Sequence, residues 1–256
     1  MTRDSLGDRM KTYEAVSKNF LMRRCPVIIR IDGKAFHTFT RGFHKPFDDI
    51  LSTAMGETMK YLCKNIQGCV LGYTQSDEIS LLLVDYQKLD SDAWFGNSVQ
   101  KIVSVAASMA TMAFNRAFSD LFWVYVSEMS TDNQYFVSLE KAHERGAMFD
   151  ARCFNLTKDE VCNYFLWRQN DAVRNSIESA AQSLFSHKEL IGINCKDLQD
   201  KMFTERGVNW NDYPIKYKRG FCCVKDNYGD WKLDTEIPIF KGEGRSYIDD
   251  LVMVGE

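Results

Sequence analysis

A short unbroken run, Pro26-Val27-Ile28-Ile29-Arg30-Ile31, constrains this chain more than any other segment. It is β-branched and almost continuously apolar, the pattern of a strand covered on both faces, and Asp32-Gly33 ends it. Two further strand-like runs follow, Cys69-Val70-Leu71-Gly72-Tyr73 and Ile79-Ser80-Leu81-Leu82-Leu83-Val84. Only Thr74-Gln75-Ser76-Asp77-Glu78 separates them, so they read as an antiparallel hairpin with a polar five-residue connection. Before the hairpin, Ile50, Leu51, Ala54, Met55, Met59 and Leu62 recur at helical spacing between Phe47 and Ile66. After it, residues 97–118 form a long helix with a small-residue face, and Phe149 to Phe154 supply a fourth strand. Strand, helix, hairpin, helix, strand is the βαββαβ plan of ferredoxin-like and polymerase-palm folds.

The expectation is therefore an α+β protein: a palm-like core over residues 1–155 and a helical part over 156–256, packed on the core as one unit. Residues 1–24 read as a polar helix carrying Met10, Tyr13, Val16 and Phe20 at helical spacing. The pattern turns helical again from about residue 157 through Leu184. The tail, with aromatics and Gly220, Gly229, Gly242 and Gly244, yields no clear period, and residues 225–256 suggest only packing.

Composition narrows the function classes. The 256 residues are 45% apolar and 26% charged, enough for a full core without staples. A net charge of -3 argues against indiscriminate nucleic-acid binding, which draws on many Lys and Arg. Local basic clusters exist at Arg23-Arg24, at Lys216 with Lys218-Arg219, and at Lys241 with Arg245. The eight cysteines form no Cys-x-x-Cys pair, so they read as reduced, small hydrophobes rather than zinc ligands. The first residues lack the apolar core of a signal peptide, and no run approaches the roughly 20 apolar residues of a membrane span. The expectation is a cytoplasmic protein without a membrane partner.

In the βαββαβ topology the end of the first strand lies beside the hairpin turn. Asp32 then comes close to Asp77 and Glu78, with Gly33 baring its carbonyl. Such an oxygen-rich group suits Mg²⁺, and two ions there would clamp the attacking and leaving oxygens of a phosphoryl displacement. The plainer alternative is that Asp-Gly is a common turn and Ser-Asp-Glu a solvated hairpin tip.

The ordered motifs reach further. Arg30-Ile31-Asp32-Gly33-Lys34-Ala35-Phe36-His37, Lys45-Pro46-Phe47-Asp48 and Gln75-Ser76-Asp77-Glu78 resemble the tRNA-His guanylyltransferase family. So do Trp94-Phe95, Lys101, Phe149-Asp150-Ala151-Arg152 and Trp167-Arg168-Gln169-x-Asp171. The resemblance covers most of the chain, in order. It implies a palm in which Asp32 and Asp77 ligate two Mg²⁺ ions, Gly33 lends a carbonyl and Glu78 supports the site. It also implies activation of a 5′-monophosphate by ATP or GTP, followed by attack of an incoming nucleotide's 3′-hydroxyl, so that growth runs 3′ to 5′. An end that already carries a triphosphate skips activation. Lys45, Asp48, Ser76 and Lys101 match positions used around nucleoside triphosphates, and His37 one near the activating nucleotide. The resemblance further implies a homotetramer.

One departure matters. Where members dedicated to tRNA-His carry His-Ile-Asn-Asn-Leu-Tyr-Asn, this chain has Val173-Arg174-Asn175-Ser176-Ile177-Glu178-Ser179, with only Asn175 in register. A valine cannot hydrogen-bond an anticodon base. The chain therefore resembles the guanylyltransferase-like branch, associated with template-dependent repair of 5′-truncated tRNA, and Phe185-Ser186-His187-Lys188-Glu189-Leu190 looks like that branch too. Arg152, Arg174, Asn175, Lys188, Lys218 and Arg219 are the candidates for contacting tRNA, with Lys216 beside them. Trp167, Trp210 and Tyr213 have the chemistry to stack on bases but belong equally well in a core. Rival readings are dedicated G addition to tRNA-His, a palm-fold cyclase, and a non-catalytic RNA-binding module.

Overall fold

The computed structural model describes residues 5–128 and 133–254. In chain order it contains α1 (Ser5–Ala15), β1 (Val27–Gly33), α2 (Phe36–Phe39), α3 (Asp49–Asn65), β2 (Cys69–Gln75) and β3 (Glu78–Leu83). There follow α4 (Val99–Glu128), α5 (Gln134–Arg145), β4 (Phe149–Asn155), α6 (Lys158–Leu184), α7 (His187–Leu190), α8 (Cys195–Arg206) and α9 (Ile215–Arg219). The chain ends with β5 (Phe221–Lys225), β6 (Trp231–Asp234) and α10 (Ser246–Val252). The six strands form one antiparallel sheet in the order β4-β1-β3-β2-β5-β6. The first four strands have the ferredoxin-like order that the sequence pattern predicts.

Alternation along the strands divides the sheet into two unlike faces. Ile29, Ile31, Ile79 and Leu81 point to one face and pack against α3 and α4 in an apolar core that includes Met55, Met59, Leu62, Ile102 and Phe114. Phe36 and Phe39 of α2 meet Phe114 and Phe118 of α4 there edge to face, with ring centroids 5.2–5.6 Å apart. The other face carries Ile28, Leu82 and Tyr73 under Val161 and Phe165 of α6, with Ile237, Phe240, Ile248 and Val252 of the tail. The tail thus closes the second core through Ile237, Phe240, Ile248 and Val252. A third cluster, around Ile177, Ala181, Phe185, Leu198 and Met202, joins the C-terminal half of α6 to α8.

Three expectations are corrected. The N-terminal helix ends at Ala15 and buries none of its residues; Val16 and Phe20 lie beyond it, 85% and 62% exposed. Their apolar period finds nothing to pack on, and residues 1–4 lie outside the described part. The hairpin connection is two residues, Ser76 and Asp77, because Gln75 pairs with Glu78. Thr74 and Glu78 are polar yet buried strand residues. The C-terminal half is helical but also contributes β5 and β6, with β5 hydrogen-bonded to β2.

Candidate active site

The tips of β1 and of the β2–β3 hairpin meet. Asp32 stands opposite Glu78 in the β1–β3 ladder, and the backbone N–H of Gly33 donates to the carbonyl of Asp77 at 3.0 Å. The first central residue of the turn, Ser76, has φ 50°, the left-handed backbone that a tight hairpin asks of this position. A serine held there is uncommon and costs backbone strain. Its hydroxyl donates to Asp77 Oδ1 at 3.0 Å. Gly33 has room only for hydrogen: a Cβ would lie 2.3 Å from Cδ2 of Phe36, whose ring anchors α2 in the core.

Burial pushes the Asp77 carboxyl up from the ordinary aspartate range, and the charge of Asp32 adds to the rise. The Asp77 anion is thus disfavoured until a cation shares the site. The donor set is all hard oxygen, and Mg²⁺ characteristically takes one or two carboxylates, leaving other positions to water and phosphate. The group fits that ion. Among the described residues no cluster of three or more His, Cys, Asp or Glu side chains is arranged around a metal position. The fit therefore rests on Asp32, Asp77 and the Gly33 carbonyl.

Glu78 is placed differently. It is 3% exposed, and both its oxygens are taken. Arg168 of α6 donates from Nε to Oε1 and from Nη2 to Oε2, each at 2.7 Å, and Arg30 of β1 reaches Oε2 at 2.7 Å. Arg168 also donates to Asp171 at 2.9 Å, and Asp171 in turn receives Arg174. The Trp-Arg-Gln-x-Asp motif is thus a clamp. Its arginine locks α6 to the strand tip, and its glutamine holds the tail through Phe240 N–H at 3.0 Å and the Pro238 carbonyl at 2.9 Å. A buried, bidentate carboxylate of this kind positions the strand carrying its neighbours, and removing one partner leaves an uncompensated charge.

Beyond the ends of β2 and β5 lies a cleft of about 270 Å³. The Lys45–Asp48 loop and the first turns of α3 form one wall; Ala172, Asn175, Ser176 and Ser179 of α6 form another; Lys216, Tyr217 and Gly220 close it; Thr74 to Ser76 connect it to the carboxylates. Asp48 caps α3, accepting from Leu51 N–H at 2.9 Å, His44 N–H at 3.1 Å and the Tyr135 hydroxyl at 2.7 Å. That carboxylate already answers the N-terminal dipole of α3. Phe47 stacks on Tyr217 at 4.7 Å, and Lys216 and Tyr217 both bind Asp49. Burial first, then the Asp49 carboxylate, pushes the Tyr217 phenol well up, so it stays a donor. Gly220 has φ +80°, and a Cβ on it would meet the Thr74 carbonyl at 2.5 Å.

Of the nucleotide candidates, Lys45, Asp48 and Ser76 line this cleft. His37 is an exposed residue of α2, 3.0 Å from the Thr38 hydroxyl, and does not line it. Lys101 is not brought to the carboxylates. Thr111 of α4 accepts from Phe149 N–H, beside Gly33, whereas Ser98 bridges Phe20 near the start of β1. Lys101 sits ten residues before Thr111, about 15 Å down the helix, where its ammonium lies over the Phe95 ring. The direction of α4 forces this, and no local pattern reveals that direction. Asn175, a tRNA candidate, is on the cleft wall. Arg152 lies on the edge strand paired with Asp150, Arg174 is exposed on α6, and Lys188 is exposed in α7. Lys218 donates to the Asn211 carbonyl and Arg219 is half-buried. Sequence reasoning gave no role to Asp150, directly across from Asp32 on β4, nor a cleft role to Lys216 and Tyr217. In sequence, the adjacent Lys-Tyr-Lys-Arg reads as basic charge for tRNA phosphates, not as a wall of the cleft.

The family model of tRNAHis guanylyltransferase matches residues 7–157. The chain belongs to the tRNAHis guanylyltransferase family. That family comprises nucleotidyltransferases. A probable tRNA(His) guanylyltransferase of Dictyostelium discoideum is 24% identical over 266 residues, covering 99% of this chain and 94% of the relative. An uncharacterized protein of Acanthamoeba polyphaga mimivirus is 29% identical over 236 residues, 87% of this chain and 77% of its own length. Among solved structures, a bacterial tRNA(His) guanylyltransferase-like protein in complex with ATP superposes with a TM-score of 0.86. It shares 46% identity over 98% of this chain and 100% of that chain. A bacterial protein of the same description in complex with GTP gives 0.80 and 43% over the same shares.

Proposed function

We propose that this protein adds nucleotides to the 5′ end of truncated tRNA in the 3′ to 5′ direction, selecting them by base pairing with the opposite strand. The observation that carries the reading is the meeting of Asp32 and Asp77 at the strand tip, with a nucleotide-sized cleft opening beside Ser76. Similarity over nearly the whole chain to bacterial structures holding ATP and GTP supports nucleoside triphosphates as the cleft's occupants.

Asp32, Asp77 and the Gly33 carbonyl would hold Mg²⁺, which supplies charge neutralisation for the reacting phosphate and its leaving pyrophosphate. The chain's own residues do the remaining work. Lys45 and Lys216, both lining the cleft, offset triphosphate charge. Leu51 and Met55 offer apolar surface to a base. Ser76 and Asp48 face the ligand from the hairpin and the helix cap. Glu78 acts at one remove, fixing the strand tip through Arg30 and Arg168. Activation joins a nucleoside monophosphate to the 5′-phosphate with release of pyrophosphate. In the transfer step the incoming 3′-hydroxyl forms the new ester bond and the activating group leaves. A cytoplasmic location and a homotetramer complete the proposal; light scattering of the purified protein tests the second.

The departure at Val173 supports template choice by base pairing over recognition of a histidine anticodon. The test is incubation with tRNA lacking its first nucleotide, Mg²⁺ and ATP, with each labelled triphosphate in turn, the 5′ end supplied as monophosphate and as triphosphate. Extension by one nucleotide from either end supports the reading. No extension by folded protein would overturn it in favour of a binding module.

A further inference from the structure

The polar face of the sheet continues past the carboxylates into a feature that the reaction outlined above does not use. Trp167 of α6 is 54% exposed, yet its ring is held in place. Arg168 lies 4.5 Å and Arg30 5.8 Å from its centroid, and Tyr164 meets it edge-on at 5.9 Å. The two guanidinium groups share one oxygen of Glu78, at 2.7 Å each. Groups joined in that way cannot stand on opposite sides of a ring at these distances. Both cations therefore back the same side of the indole, and the residue as a whole stays 54% exposed. An exposed tryptophan is ordinary; one braced from behind by two arginines tied to a buried carboxylate is a built surface.

Its surroundings fit RNA. Arg30 and Asp32 are two residues apart on β1 and share a sheet face, which puts the bracing arginine roughly 7 Å along the strand from the catalytic aspartate. Arg152 stands across the ladder from Arg30 on the edge strand and is half exposed. Arg174 lies seven residues beyond Trp167, on the same stripe of α6, with Asp171 between them. An exposed aromatic plane thus has a cation on either side and the reacting centre within a nucleotide's reach.

We infer that Trp167 is the stacking platform for the terminal base pair of the acceptor stem, with Arg152 and Arg174 holding the flanking phosphates. The inference rests on the proposed 5′ addition to tRNA and deepens it. An aromatic plane accepts any base, because every base has a π-face, whereas hydrogen-bond readout would impose a sequence. An enzyme whose nucleotide is chosen by pairing needs a platform of this indifferent kind. Rigidity of the ring sets the height of the terminal pair relative to Asp32 and Asp77, and the Glu78 clamp supplies that rigidity.

The test is single-turnover addition to a 5′-triphosphorylated, truncated tRNA by wild type, Trp167→Ala and Trp167→Phe, each shown to be folded and to bind ATP normally. A matched tRNA whose 5′-terminal residue is abasic is run beside it. Trp167→Ala is expected to raise the half-saturating tRNA concentration by about tenfold, and Trp167→Phe to recover most of that loss. On the abasic tRNA the wild type should fall to the level of Trp167→Ala, with no further loss in the variant. Equal losses in both variants, or an abasic penalty undiminished in Trp167→Ala, would overturn the platform. So would a loss confined to the half-saturating triphosphate concentration, which would mark the ring as a contact for the incoming base. If wild type itself adds nothing, the proposed function fails; if it adds normally and Trp167→Ala matches it, only this inference does.

Discussion

The two faces of one sheet do opposite things with the same strands. On the α3–α4 side, Ile29, Ile31, Ile79 and Leu81 are fully buried among apolar neighbours. On the α6 side, the intervening positions are Arg30, Asp32, Glu78 and Ser80, of which Arg30, Glu78 and Ser80 are joined into a network with Arg168 and Tyr164. Burial raises the Tyr164 phenol to about 12, so it remains neutral against Ser80. The apolar face makes the strands stay where they are; the polar face uses that fixity to bring charges together that would otherwise repel. Strain and burial collect on the side where chemistry is proposed, at Ser76 and Asp77.

Substitutions can break this contrast, beginning with the largest effect. Asp32→Ala and Asp77→Ala should each lower single-turnover nucleotide addition by at least about a thousandfold. Circular dichroism and tRNA affinity should stay near wild type, because neither side chain supports the core. Glu78→Ala should cost about 3–5 kcal/mol in urea unfolding, since it removes the bidentate partner of buried Arg168 and leaves that charge with Asp171 alone. Leu81→Ala, one strand face away, should cost about 2–5 kcal/mol from its cavity. The contrast is in activity: at a temperature where both variants are folded, Leu81→Ala should keep most of its turnover and Glu78→Ala should not. Equal turnover in the two would mean that the polar face is only another core.

The apolar face was the part legible in sequence. Continuous β-branched runs and a 3.6-residue period announce strands and helices wherever burial is two-sided or one stripe is apolar, and the four-strand order followed from them. The polar face was legible only at its tip, through Asp32 and the Ser76-Asp77-Glu78 turn. Glu78 could not be separated from its neighbours by spacing, because what distinguishes it is Arg168, 90 residues away. Thr74 read as loop although its hydroxyl bonds the Glu78 carbonyl at 2.8 Å inside the ladder. β5 and β6 are short, and Trp231–Asp234 alternates without an apolar run, so only their pairing, β5 with β2 and β6 with β5, makes them visible. The cleft is assembled from α3, α6 and α9, and such non-local walls leave no periodic trace. The place of Lys101 was not legible either, because residue identity carries no information on which end of α4 meets the strand tips.

Smaller effects sharpen the account. Lys216→Ala should raise the KM for the triphosphate about tenfold, the loss of one charge-assisted contact, while tRNA affinity changes little. Equal losses in both would move Lys216 out of the cleft's chemistry. The smallest effect is a pH dependence in chelator. Asp77 has a raised folded pKa, so its contribution to stability is full below the ordinary value of 3.8 and is lost as pH rises through the raised one. Asp77→Asn, neutral throughout, should therefore gain in urea midpoint relative to wild type between about pH 4 and 7. Added Mg²⁺ should narrow the gap by favouring the wild-type anion. A gap that closes as pH rises would contradict the assigned cause.

The most direct measurement changes only the RNA. Truncated tRNA is prepared with each of the four bases opposite the position to be filled, and single-turnover addition of all four triphosphates is followed with wild type and with Asp77→Asn. The account predicts that wild type adds the complementary nucleotide in every case and that Asp77→Asn adds none. Addition of G whatever the opposing base would contradict selection by pairing, and undiminished addition by Asp77→Asn would contradict the site.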